Sequence, residues 1–151
     1  VIFPFQKREL QSYVKDTDSE ELRFLDENLW NEFSQEITLR CYDPREIFIE
    51  KCRASLTRKA YKLRDVIDIH MMEGEFGYSV SDYKAEVTEK VQFMIELYER
   101  CHENIELIQY PGIESLDSDE TALLLSKAPE DLDEKIVRIH EELEAIRKEL
   151  L

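Results

Sequence analysis

The run from Tyr42 to Glu73, YDPREIFIEKCRASLTRKAYKLRDVIDIHMME, constrains the fold most, because two consecutive helical patterns there carry charges that an apolar core does not hold alone. Asp43, Pro44 and Glu46 read as an N-cap, a proline at the first helical position and a capping-box acid, which predicts a helix from Pro44 to about Lys59. On it Ile47, Phe48, Ile49, Cys52 and Leu56 form the expected buried arc, with Lys51 at its edge beside Ile47 and Ser55.

The second pattern, Tyr61 to Met72, encloses Asp65 and Asp68 among Val66, Ile67, Ile69, Met71 and Met72. The two acids are three residues apart and share a helical face, where like charges repel and burial is costly without a partner. Lys51, Lys62, Arg64 or an external cation is therefore expected close by. Two readings stay open: a structural ion network joining a pair of helices, or a charged site for a ligand.

Three glycines and four prolines in 151 residues favour long helices, and a hydrophobic content of 42% suffices for one real core. The fold class expected is mainly α, or α+β with a small strand remnant: a helical domain of long antiparallel helices behind a short N-terminal strand region. Val1 to Phe5, interrupted by Pro4, reads as an edge strand. Leu22, Leu25, Leu29, Trp30 and Phe33 recur at helical spacing behind a cap at Asp18 or Ser19. Ile37, Leu39 and Cys41 alternate with Thr38, Arg40 and Tyr42, which predicts a strand leading into Asp43. Glu73 to Ser81 is expected as a loop, and Asp82 to about Asn104 as one long helix with a seam of Val87, Val91, Met94, Tyr98, Cys101 and Ile105. A loop at Tyr110 to Ser118 and a short helix through Leu123 to Leu125, capped by Asp117 or Ser118, precede a last helix from about Pro129 to Leu150. Its seam, Leu132, Ile136, Ile139, Leu143, Ile146 and Leu150, matches that of the long helix and predicts antiparallel packing of the two. A homodimer through the C-terminal helix is the alternative to a monomer.

With 35 acids against 20 bases the formal net charge is −15, which argues against broad attachment to nucleic acid or to an anionic membrane. The bases concentrate locally, at Lys51, Arg53, Arg58, Lys59, Lys62 and Arg64. Cys41, Cys52 and Cys101 are odd in number and widely spaced, as expected of buried free thiols in a reducing cytosol. No apolar run reaches the roughly 20 residues of a membrane span, so a cytoplasmic protein is expected. His70 is rotated about 160° from Asp68 on a common helix, so His70, Glu73, Asp65 and Asp68 do not converge on one metal ion. His102 and His140 read as surface or cap residues.

The spacing Pro44-x-Glu46-Ile47-x-x-Glu50-Lys51-x-Arg53-Ala54-x-Leu56-x-Arg58, followed by Lys62-x-Arg64-Asp65-x-x-Asp68, resembles the third and fourth motifs of the AbiEii-type nucleotidyltransferase toxins, over roughly a fifth of the chain. The resemblance implies transfer of a nucleotide from a nucleoside triphosphate, with Mg²⁺, to an acceptor such as tRNA, and an antitoxin protein as a further partner. By the same resemblance Lys51 would meet the triphosphate, Asp65 or Asp68 would act beside the metal-binding acids, and Arg53, Arg58, Lys62 and Arg64 would contact phosphate or acceptor. Residues 1–42 would be the remnant of an α/β catalytic core and 43–151 the helical domain. The family's first motif, a Gly-Ser turn followed by metal-binding acids on a strand, does not occur in the sequence. Together with the start at Val1, this gives the expectation of a piece of a longer enzyme, inactive alone. The competing expectation is a non-catalytic helical interaction module.

Overall fold

The computed structural model describes residues 1–10, 20–111 and 131–151. The predicted cap at Asp18 or Ser19 and the predicted short helix through Leu123 to Leu125 lie outside the described residues. The fold is mainly helical with one small antiparallel sheet, in the order β1 (Gln6–Leu10), α1 (Glu20–Leu25), α2 (Glu27–Phe33), β2 (Ile37–Cys41), α3 (Pro44–Thr57), α4 (Leu63–Phe76), α5 (Lys84–Leu97), α6 (Glu99–Leu107) and α7 (Leu132–Leu150). Two compact units are formed, one of Val1 and Phe3–Asp43 and one of Ile2 and Pro44–Leu151.

In the first unit the strand expected at Val1 to Phe5 begins later, as β1. Gln6 pairs with Cys41, Arg8 with Leu39 and Leu10 with Ile37, so the alternation of β2 recruits a partner strand whose own sequence, QKREL, carries no alternating apolar signal. The Gln6 amide also donates to Asp43 Oδ2 at 2.5 Å. The helix expected through Leu22 to Phe33 is divided at Asp26, which takes an extended backbone and accepts the Leu29 N–H at 2.9 Å as the N-cap of α2. Of the apolar residues behind that expectation, Leu25, Leu29 and Phe33 stay exposed, at 78%, 52% and 57%, and Trp30 is half-buried.

The second unit is built around α3. The helix starts at Pro44, as the sequence predicts, and is enclosed by α4, α5, α6 and α7. Phe48, Ile49, Cys52 and Leu56 are wholly buried, each aliphatic or aromatic side chain contributing about 1.5–3 kcal/mol by burial. Ile47, expected in the buried arc, is 41% exposed, while Glu46, Ala54, Ser55 and Thr57 are buried. A helix covered on most sides has no single apolar stripe, so an arc drawn from periodicity misplaces its edge. α4 continues past Met72 to Phe76 and ends at Gly77, whose φ of 69° is the left-handed cap and whose N–H reaches Glu73 O at 2.9 Å. The loop expected from Glu73 therefore starts four residues later. The helix runs through Gly74, which is exposed, at the modest cost of an interior glycine.

The long helix expected from Asp82 to Asn104 is two helices. Tyr98, extended at φ −133°, ψ 108°, closes α5 by donating its N–H to Met94 O at 2.9 Å, and its carbonyl accepts the Cys101 N–H at 2.8 Å to open α6. Val87, Val91, Cys101 and Ile105 are buried as the seam predicts, whereas Tyr98 is turned out and 42% exposed. α7 buries Leu132, Ile136, Ile139, Leu143 and Ile146, but against α3, α4 and α5 rather than along one partner helix. His140, expected at the surface, is buried: its ring stacks on Tyr110 with centroids 4.8 Å apart, and Nε2 lies 3.0 Å from the Tyr61 hydroxyl. Nothing near His140 in the sequence announces that Tyr61 and Tyr110 arrive there.

Ile139 and Leu143 are each fully buried within one chain. Replacing either with Ala is expected to cost about 2–5 kcal/mol, with a melting temperature independent of protein concentration in thermal unfolding. Burial holds the His140 imidazole down at about 4, so its neutral form contributes stability above the ordinary histidine pKa of 6.5 that is lost as the pH falls from there toward 4. His140→Phe keeps the ring packing and removes the proton, so its melting temperature should fall less than that of the parent protein between pH 6.5 and 5.

Candidate functional site

Asp65 lies in the first turn of α4, 1% exposed in its side chain, and Asp68 one turn on, 43% exposed. Lys51, on the facing side of α3, bridges them: Nζ is 2.6 Å from Asp68 Oδ2 and 3.4 Å from Asp65 Oδ1. Arg58 enters from just beyond the end of α3 and puts Nε 3.2 Å from Asp65 Oδ2, within ion-pair range but without the alignment of a hydrogen bond. The buried acid thus faces two cations and the half-exposed acid one. The hydrogen bond to Asp68, against the opposing effect of burial and helped by the charges of both aspartates, holds the Lys51 ammonium above its ordinary range. Its ionic contribution is therefore complete at neutral pH and is lost only at alkaline pH, above the ordinary lysine pKa.

Lys62 and Arg64 flank the start of α4 and are exposed, and with Arg58 and Lys59 they make the α3–α4 junction basic. Arg53 does not join them. It is fastened along its own helix, to Glu50 Oε1 at 2.9 Å through Nε and to Thr57 Oγ1 at 2.9 Å. Glu50 belongs to a second network that the sequence did not disclose: Lys90 of α5 lies 2.5 Å from Glu46 and 3.2 Å from Glu50. Although burial pushes Glu50 up, the bonds from Arg53 and Lys90 prevail and keep its carboxyl below the usual range. Glu46 also accepts the Ile2 N–H at 2.9 Å. The available signal was Lys90 next to the buried Val91 and one turn from Val87, which sets it near the covered side of its helix. Arg138 of α7 closes a third group with Glu73 and Glu142.

The arrangement is a cluster of two cations and two carboxylates, balanced in formal charge. Lys51 and Arg58 converge at the N-terminal turn of α4, whose first N–H groups also favour negative charge. The aspartates do not fit a metal ion, because Oδ1 and Oδ2 of Asp65 and Oδ2 of Asp68 already face cationic nitrogens. His70 is part-buried on α4, Glu73 is committed to Arg138, and among the described residues no group of three or more His, Cys, Asp or Glu is arranged around a metal position. Cys52 and Cys101 are buried and Cys41 partly so; burial pushes the Cys52 thiol well up, which leaves it unreactive. No helix among the described residues is long and apolar enough to cross a membrane.

No curated protein and no solved structure matches the chain. The family model described as nucleotidyl transferase AbiEii toxin, Type IV TA system, matches residues 1–149. That match takes in both motif helices and nearly all the rest of the sequence, and the chain belongs to the AbiEii nucleotidyl transferase toxin family of type IV toxin–antitoxin systems.

Proposed function

We propose that this chain carries the triphosphate-binding side of a nucleotidyltransferase, with Lys51 as the residue that meets the nucleoside triphosphate. The observation supporting it is the convergence of Lys51, Arg58, Asp65 and Asp68 at one point between α3 and α4, at the spacing of the family's motifs. Nucleotidyl transfer depends on positioning and on neutralising phosphate charge, and two cations at a helix N-terminus supply both. Asp65 is the anchoring acid in this reading, because it is buried and stays paired to Arg58 when Lys51 turns away. Asp68 is the exchangeable one: half exposed, it yields Lys51 to an incoming phosphate. Lys62 and Arg64 extend the basic surface toward phosphate or acceptor, and Arg53 would have to leave Glu50 to join them. A tRNA acceptor and an antitoxin protein partner are part of the same proposal. Magnesium, which the family's chemistry calls for, would have to be held by acids other than Asp65 and Asp68.

A non-catalytic helical interaction module is the second reading. It is favoured by the same contacts in another light, since a closed ion network with every acid facing a cation is what a structural role needs. Lys51→Met separates the two. Because Arg58 remains beside Asp65, the change should cost about 1–3 kcal/mol, below the roughly 3–5 kcal/mol of a buried pair left with no second cation. It should also abolish triphosphate binding in a calorimetric titration; unchanged affinity alongside a large loss of stability would sink the catalytic assignment. Incubated alone with labelled nucleoside triphosphates, Mg²⁺ or Mn²⁺ and bulk tRNA, the chain should yield no labelled product, since two lysine-bound aspartates do not present the metal pair of an in-line displacement. Labelling that survives further purification would show that its own acids suffice.

A further inference from the structure

One face of the β1–β2 hairpin gathers two aromatic rings and two cations. Lys7 and Arg40 are paired across the strands, and Glu9 faces Thr38 one step along on the same side. Strand alternation continues past both ends, bringing Phe5 and Tyr42 to that face, where their rings meet at 4.8 Å. The Arg40 guanidinium lies over the Phe5 ring, 5.1 Å from its centre. All four side chains are solvent-exposed, Phe5 by 42% and Tyr42 by 52%. The opposite face differs, with Arg8 beside Leu39, Leu10 beside Ile37, and the Arg8 guanidinium bonded to the Gln6 amide oxygen at 3.1 Å.

Like charges directly opposite each other on a sheet are unfavourable, and among the described residues neither Lys7 nor Arg40 takes part in an ion pair. The two rings, about half exposed, also leave apolar surface in water. An anion with a flat apolar part would relieve both: phosphate between the cations, a base stacked on Tyr42 or on the outer plane of Arg40. The chain's net charge of −15 rules the extended alternatives out, since a membrane surface or a duplex would bring many more phosphates against acids than these two cations offset. A single strand has a lower charge density than a duplex, which lessens that repulsion, and its unpaired bases leave their flat faces open to the rings.

We infer that the Phe5, Lys7, Arg40 and Tyr42 face of the hairpin is a docking platform for single-stranded nucleic acid. It stands on the hairpin by itself and does not depend on the role given to Lys51. The whole chain is titrated into a fluorescein-labelled, unstructured RNA of about 10 nucleotides, its DNA counterpart and the matching duplex, with fluorescence anisotropy as the readout at several salt concentrations. Trp30 emission, from the same unit, checks that each variant keeps its fold. Single strands should bind and the duplex should not. Tyr42→Ala should weaken binding about fivefold to a hundredfold, the loss of one base stack, and Phe5→Ala, which removes the ring that supports Arg40 and Tyr42, should weaken it by less. Lys7→Gln and Arg40→Gln should each flatten the slope of log affinity against log salt by about 0.7, the value of one phosphate contact on a single strand. Arg8→Gln, on the opposite face, should leave affinity and slope unchanged, and Glu9→Gln should tighten binding. Absence of binding at low salt, equal binding of the duplex, or affinity indifferent to Tyr42→Ala and Arg40→Gln in folded protein would each overturn the proposal.

Discussion

Everything in the second unit follows from the enclosure of α3. A helix packed by four others keeps only a narrow solvent edge, at Ile47 and Glu50, yet α3 carries Glu46, Glu50, Lys51 and Arg53 within about two turns. Each must meet an opposite charge on a neighbour or along its own backbone, or the cost of desolvation would exceed the gain from Phe48, Ile49 and Leu56. The neighbours answer in kind: α4 sends Asp65 and Asp68 to Lys51, and α5 sends Lys90 to Glu46 and Glu50. The polar contacts thereby fix the rotation of α3 about its axis, which apolar packing on a helix buried nearly all round would leave weakly defined.

Seen this way, the Lys51 site and the Lys90 network are solutions to one problem with different remainders. Lys90 is largely enclosed and its acids are tied down, so little is left for chemistry. Lys51 is nearly one-third exposed, and one of its two acids reaches solvent. The difference lies in the lips of the site rather than in its charges. Arg58 makes the exposed arrangement tolerable by standing as a second cation beside the buried carboxylate.

Much of this was legible in the sequence where local chemistry decides the structure. Pro44 starts α3, Ile37 to Cys41 is a strand, and Asp65 and Asp68 meet Lys51, one of the cations their spacing and isolation among apolar residues called for, although Arg58, the second partner of Asp65, was not among them. Legibility failed where a distant partner decides. β1 is a strand only because β2 pairs with it, and His140 is buried only because Tyr61 and Tyr110 come to its ring from far along the chain. The Lys90 network was hidden for the same reason, since nothing within α3 announces which helix will bring the cation. The two aspartates looked equivalent on paper, and only packing makes one an interior group and the other a surface one.

The joint at Tyr98 has a further consequence. One residue serves as the last cap of α5 and the first cap of α6, so the change of direction leaves no slack in the chain: the Met94 carbonyl of α5 and the Cys101 N–H of α6 are both bonded to the backbone of Tyr98. Such a joint behaves as an elbow welded at a set angle, not as a hinge. It also spends no extra residue on the turn, so the seven-residue step from Met94 to Cys101 survives across it and the buried row reads as unbroken although the rod beneath it is not. An insertion or deletion of even one residue at this point would have no loop in which to be absorbed, and would carry Cys101 and Ile105 round to the water.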